Sequence, residues 1–337
     1  MGIFLNPGNS GFAEIVKDKY IDKTGLIGVI NSTIGTSRKL TCISRPRRFG
    51  KSYAAQMLCA YYDRTVDSRS LFEEPKPLAI TRKASYQEHL NKYNVIYIDM
   101  ASIVGVVEDS EIVSFITRSI TEELCAAYPD LQAGEVLYST LANAAEIAKS
   151  KFIMVIDEWD APIRETPEIE EDYLKFLRML FKSSATSAKI FAAVYMTGIL
   201  PIKKDGSQSA ISDFKEFSML YPGKFARFTG FPEAQVRKLC RKNRMAFEDI
   251  KAWYDGYTLA EATSAYNPYS VMCAMEERAC RSFWGKTSAA EGLTDYIKMD
   301  FDGLQETVAA LIAGARVPVN PSRFQNDLER FKARDDI

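Results

Sequence analysis

Histidine is nearly absent: His89 is the only one in 337 residues. That scarcity excludes a good deal of chemistry. Serine and cysteine hydrolases need a placed imidazole as general base. His89 sits in the polar stretch Tyr86-Gln-Glu-His-Leu-Asn91, which reads as a solvated helix surface. A zinc centre would have to be assembled almost without histidine and without paired cysteines. The six cysteines (Cys42, Cys59, Cys125, Cys240, Cys273 and Cys280) are scattered, and none forms C-x-x-C. Several lie in apolar runs, where a buried thiol behaves as a small hydrophobe, so a reduced, cytoplasmic setting is expected. No apolar run approaches the ~18 residues that span a bilayer. No secretory signal is expected, because the first residues lack a basic segment followed by an apolar one. Met1-Gly2 does not extend into a myristoylation motif, since residue 6 is Asn. The net charge of −1 leaves no global basic field for nucleic acid, so any such contact must be local.

What is present is ordinary globular material, 47% apolar and 26% charged. The length suits two or more domains, or one large α/β domain with an appendage. Strand and helix patterns alternate from residue 39 to residue 230. Apolar runs at Lys39–Ser44, Asn94–Asp99, Phe152–Ile156 and Lys189–Met196 read as strands buried on both faces, and Phe225–Gly230 as a fifth. Helices are expected over 51–63, over Ser110–Tyr128 with Ser110 as N-cap, over Ala133–Lys149 and over 170–184. Such alternation implies a mainly parallel five-stranded sheet with right-handed crossovers, an α/β fold. Residues 1–39 form an N-terminal segment with a short helix at Gly25–Ile30. There Tyr20, Asp22 and Lys23 either line a nucleotide pocket or serve structure. After Gly230 only helices are expected: Glu233–Lys242, Ala246–Trp253, and one opened by Asn267-Pro268.

Two places carry chemistry. Thr41-Cys-Ile-Ser-Arg-Pro-Arg-Arg-Phe-Gly-Lys-Ser-Tyr53 runs from a strand through a basic turn into a helix, the order a phosphate-binding loop requires. Amides at the helix N-terminus face the phosphate, and the helix dipole favours its charge. Lys51 would reach the outer phosphates, and Ser52 would bind Mg²⁺. The wider nucleotide contact comprises Arg47, Arg48, Phe49, Gly50, Lys51, Ser52 and Tyr53. The motif's first glycine is replaced by Arg45. The second place is Asp157-Glu158, an acidic pair closing an apolar strand, which belongs at the carboxyl edge of the sheet where open α/β folds bind ligands. Asp157 would hold Mg²⁺ opposite Ser52, and Glu158 would polarise the attacking water. Thr197, closing the next strand, either senses the γ-phosphate and orients water or is a turn residue. Arg45, Arg47 and Arg48 are open to three readings: an arginine finger, a nucleic-acid contact or a solvated turn.

Ser44-Arg-Pro-Arg-Arg-Phe-Gly-Lys-Ser52, Ile156-Asp-Glu-Trp-Asp-Ala-Pro162, Thr197-Gly-Ile-Leu-Pro-Ile-Lys-Lys204 and Trp253-Tyr-Asp-Gly-Tyr257 follow one another in this order. So do the early Asn6-Pro-Gly-Asn9 and Tyr20-Ile-Asp-Lys-Thr24 and the later Tyr266-Asn-Pro-Tyr-Ser270. This ordered set resembles the predicted AAA-ATPase-like proteins of bacteria and archaea, across nearly the whole chain. The resemblance implies a P-loop core with Walker A and Walker B half-sites and an extra strand between the phosphate-loop strand and the acidic strand. It implies that Arg45 in place of glycine is the family's habit. Catalytic roles fall to Lys51, Glu158 and Thr197 from their places in the loop and at the strand ends. The change to helices after Gly230 sets a boundary between a domain over residues 1–230 and a helical lid or winged-helix-like domain over 231–337. The resemblance implies that Trp253–Tyr257 lies in that lid and that the domain is incomplete at Arg334-Asp-Asp-Ile337. Such proteins often continue into a nuclease-like domain. The triplets Glu74-Pro-Lys76 and Asp249-Ile-Lys251 lie in a loop and a helix, so no nuclease activity is expected. The expected function is Mg²⁺-dependent ATP binding and hydrolysis in a motor or switch, without membrane attachment and open to oligomerisation. The alternative is a nucleotide-gated module with little turnover that binds protein or DNA through its C-terminal region, in a defence setting by analogy alone. ATP and GTP are not distinguished by the sequence.

Overall fold

Apolar runs between helical stretches become the strands of a single parallel sheet. A computed structural model describes residues 2–182, 184–202, 211, 213–259, 263–283 and 300–318. The strands are β1 (Leu40–Ser44), β2 (Asn94–Asp99), β3 (Phe152–Asp157), β4 (Phe191–Gly198) and β5 (Lys215–Phe217). Their order is β2-β3-β4-β1-β5, and every pairing is parallel. The acidic strand β3 is therefore one strand removed from β1, with β4 between them.

Both faces of the sheet are covered, which is why the strands are apolar throughout: β1, β3 and β4 are buried at every position. Successive side chains point to opposite faces. Cys42, Ile96, Ile98, Met154, Ile156, Val194 and Met196 pack on one side with helix residues such as Ile116, Ile120, Leu141 and Leu177. Ile43, Val95, Ile153, Val155, Ala193 and Tyr195 pack on the other. That second layer comes from α1 (Ser10–Lys17), α2 (Gly25–Asn31) and α3 (Lys51–Tyr62), which contribute Phe12, Leu26, Ile30, Leu58 and Tyr61 among others. α3 buries most of its circumference, as its apolar composition requires.

Several expectations are corrected. The fifth strand is Lys215–Phe217, not Phe225–Gly230. A three-residue edge strand with two polar side chains carries little periodic signal. Phe225 instead ends a 3₁₀ turn, and its ring packs on Phe217 at 4.6 Å. Gly230 at φ 94° then turns the chain. Ser110 does not cap the helix it precedes. A 3₁₀ turn covers Asp109–Glu111, and the helix Ile112–Ala127 starts after it without a side-chain cap. The helices after residue 230 are accompanied by a small antiparallel sheet of β6 (Phe231–Pro232), β7 (Tyr257–Leu259) and β8 (Thr263–Tyr266), ordered β6-β8-β7. His89 is buried rather than solvated, with Nδ1 2.8 Å from the Tyr93 hydroxyl, and burial lowers its pKa.

Tyr20, Asp22 and Lys23 make contacts within the fold, and the Tyr20 hydroxyl accepts from the Lys23 amide at 3.1 Å. Asp22 accepts from the Thr24 amide and hydroxyl and from the Ala79 amide. Lys23 Nζ donates to the carbonyls of Arg227 and Gly230 and to Gln235 Oε1, and burial pushes its pKa down to about 7.

The chain divides into two compact units, Met1–Arg237 with Asp255–Pro268, and Lys238–Tyr254 with Tyr269–Ile337. In the second, Tyr254 closes the helix Phe247–Tyr254 and exchanges hydrogen bonds with the Arg281 backbone at 2.9 and 3.0 Å. Lys203, Lys204 and Arg334–Ile337 lie outside the described residues. No helix among the described residues is long and apolar enough to cross a membrane.

Candidate nucleotide site

The loop from Arg45 to Gly50 turns without its first glycine by placing left-handed backbone later. Arg48 has φ 68° and Gly50 φ 82°. Gly50 is the N-terminal flanking residue of α3, and no side chain caps that helix. The first amides of an uncapped helix call for an external acceptor. A phosphate would satisfy them and the helix dipole together.

Arg45 does not project toward a ligand. Its side chain is buried, and Nη1 donates to the Ser44 carbonyl at 2.8 Å and the Phe217 carbonyl at 2.7 Å. It thus joins β1 to β5 beneath the loop. Burial pushes its pKa down to about 10, and Nε and Nη2 have no hydrogen-bond partner among the described residues. Arg47 and Arg48 are the exposed pair on the loop.

Phe49 is turned inward. Its ring meets Tyr257 edge-on at 5.4 Å, and its carbonyl accepts from the Gly230 amide at 3.2 Å. A Cβ on Gly230 would stand 3.1 Å from that ring. The Asn267 side chain donates to the Arg47 carbonyl at 3.3 Å. The small sheet and the residue that follows it therefore grip the phosphate loop from outside.

Lys51, buried at the start of α3, donates to the Arg45 carbonyl at 3.1 Å and the Pro46 carbonyl at 3.0 Å. Burial lowers its pKa, while Glu158, Asp157 and Asp160 together oppose the drop. All three acids sit at the carboxyl end of β3, so the loop lysine and the acidic strand end converge.

Asp157 is buried, and burial raises its pKa. The Thr197 hydroxyl donates to its carboxylate, and the Ser52 and Thr197 hydroxyls pull its pKa the other way. Thr197 also accepts from the Glu158 amide at 3.3 Å, so one hydroxyl orders both acids. Ser52 and Tyr53 lie exposed on the first turn of α3. Asp99 is in register with Asp157 across β2 and β3.

Two residues of this site carried no assigned role in the sequence. Asp160 is fully buried and accepts from the Ile199 and Leu200 amides. Arg164, on the short helix Ala161–Glu165, bridges Asp160 at 3.0 Å and Glu158 at 3.1 Å. The i,i+4 spacing of Asp160 and Arg164 was the available signal. Gly198 closes against this group. A Cβ there would lie 2.5 Å from Trp159 Nε1 and 2.7 Å from Asp160 Oδ1, so a side chain does not fit.

The donor set fits a hard divalent cation. Ser52 and Asp157 supply oxygen only, and no group of three or more acidic, cysteine or histidine side chains suited to a metal occurs among the described residues. Mg²⁺ suits such a site, because it is usually held by one or two carboxylates plus substrate phosphates and water rather than by a protein cage.

The family model described as "AAA-ATPase_like: Predicted AAA-ATPase" matches residues 7–207, more than half of the chain. Among curated proteins no match is found. Solved structures similar to the chain include the ORC2 protein of Aeropyrum pernix in ADPNP-ADP complexes, 11% identical over 68% of this chain and 54% of that one, with a TM-score of 0.40. Another is PCH-2 of C. elegans, 12% identical over 73% of this chain and 47% of that one, with a TM-score of 0.28. The chain spans about half the length of these structures.

Proposed function

We infer the function from the premise that the chain belongs to the predicted AAA-ATPase family: it binds a nucleoside triphosphate on residues 47–53 and hydrolyses it with Mg²⁺. The observation that carries this is the meeting of Ser52 and Lys51, at the start of α3, with the acids that end β3. The phosphates take the amides at the N-terminus of α3, and Lys51 pairs with the outer ones. Ser52 and Asp157 hold the cation, which supplies charge neutralisation at the transferred phosphoryl group. Glu158 accepts the proton of the attacking water. Thr197 serves by fixing Asp157 and the Glu158 backbone through the two hydrogen bonds of its hydroxyl. Arg45 lies inside the fold, which leaves Arg47 and Arg48 as the loop arginines for charge stabilisation or a partner.

The test is steady-state phosphate release by the purified chain. Release is expected with MgATP and should vanish in EDTA. Equal release with and without the metal would refute the role given to Ser52 and Asp157. The motor or switch role, the helical C-terminal part as a lid, and partners or oligomers engaged through it belong to the same proposal and rest on the family alone.

A further inference from the structure

Glu158 is held by a chain of contacts that begins in the loop after β4. Asp160, fully buried, accepts the Leu200 amide at 2.9 Å and the Ile199 amide at 3.1 Å. Arg164 Nε lies 3.0 Å from Asp160 Oδ2, and Arg164 Nη2 lies 3.1 Å from Glu158 Oε2. The Arg164 side chain is 7% exposed, so this fork is largely shielded from water. Glu158 has left-handed backbone at φ 51°, and the next amide, that of Trp159, donates to the Thr197 carbonyl at 2.8 Å. A non-glycine residue in that conformation persists where its surroundings over-determine it. Among the described residues no hydrogen-bond donor reaches Glu158 Oε1.

Neutralising the buried Asp160 would account for Nε of the guanidinium, because Asp160 already has two backbone donors. It does not account for Nη2, which is spent on Glu158, while Nη1 meets the exposed Glu165 at 3.4 Å. A planar fork can serve two carboxylates at once, whereas an ammonium is a point charge.

We propose that Arg164 is a positioning residue for the water-activating carboxylate: it fixes Oε2 of Glu158 and leaves Oε1 directed to the water. This rests on the hydrolytic reading above. Misplacing a catalytic group by about 1 Å can cost on the order of 100-fold in rate. Removing the grip should therefore act on kcat and not on nucleotide binding.

The experiment is a double-mutant cycle of Arg164→Lys and Glu158→Ala, read by single-turnover hydrolysis of radiolabelled ATP and by nucleotide titration. Lysine keeps a positive charge opposite Asp160, so the fold is retained, and a thermal melt checks this. R164K is expected to lower the hydrolytic rate about 10-fold or more with nucleotide affinity within about threefold. In the E158A background the same substitution should change the residual rate by less than about twofold. An equal loss in both backgrounds, or no loss in the first, overturns the positioning role while the hydrolytic reading stands. Absence of MgATP turnover in the unsubstituted chain overturns the hydrolytic reading and this inference with it.

Discussion

At Gly50 the backbone is left-handed, at φ 82°, yet a Cβ built there meets nothing within 4 Å. Gly50→Ala therefore tests backbone strain without a steric clash. The substitution should cost about 1–2 kcal/mol, the penalty for a left-handed residue with a Cβ. If the loop relaxes to avoid that cost, nucleotide affinity should fall instead, which a paired thermal melt and titration would separate. Asp157 tests the opposite balance. Its folded pKa is raised by burial, so the folded state binds more protons than the unfolded one between the two values. Stability therefore falls as pH rises through that window and stays lower above it. Asp157→Asn removes the buried charge and should raise the melting temperature at neutral pH, while Mg²⁺-dependent turnover disappears. Such a trade of stability for function is common at active sites. Lys51, Ser52, Asp157 and Glu158 stand out in the sequence as a candidate group, because each half-site sits where a strand pattern stops. The place of Arg45 was not. Only the fold shows that its guanidinium turns inward to the Ser44 and Phe217 carbonyls.

At the scale of elements, the phosphate loop is shaped less by its own glycine than by what grips it. Phe49 is 1% exposed and wedged against Tyr257 and Gly230. Phe49→Ala should destabilise the chain by about 3–5 kcal/mol, as large-to-small changes of a buried aromatic do; chemical denaturation would measure it. Asn267→Ala removes one hydrogen bond to the loop, at 3.3 Å. Its stability cost should be small, about 0.5–1.5 kcal/mol, with nucleotide affinity weakened several-fold as the loop loses its outer tether. The four long strands could be read from the sequence because burial on both faces makes them continuously apolar. β5 could not, being a three-residue edge strand that borrows its hydrogen bonds from β1. β6, β7 and β8 were hidden for a related reason: they are two to four residues long, the β6–β8 pair joins residues more than thirty positions apart, and short strands leave no period to read.

At the scale of the molecule, a site that is present only in the folded chain must couple ligand to stability. A ligand at 100 times its Kd stabilises the fold by about 2.7 kcal/mol, so the melting temperature should climb with MgATP concentration. The strand order β2-β3-β4-β1-β5 places Lys51 and the acids on one edge of one sheet, although more than a hundred residues separate them in sequence. The alternation of strand and helix announced this parallel topology, and the resemblance announced the strand between β1 and β3. The measurement that bears most directly on the account is calorimetric titration of MgATP into the chain and into its Lys51→Ala and Glu158→Gln variants, with turnover followed alongside. The account expects saturable binding by the parent chain, none by K51A, and binding without turnover by E158Q. A parent chain that takes up no nucleotide in the presence of Mg²⁺, or a K51A variant that binds as well as the parent, would contradict it.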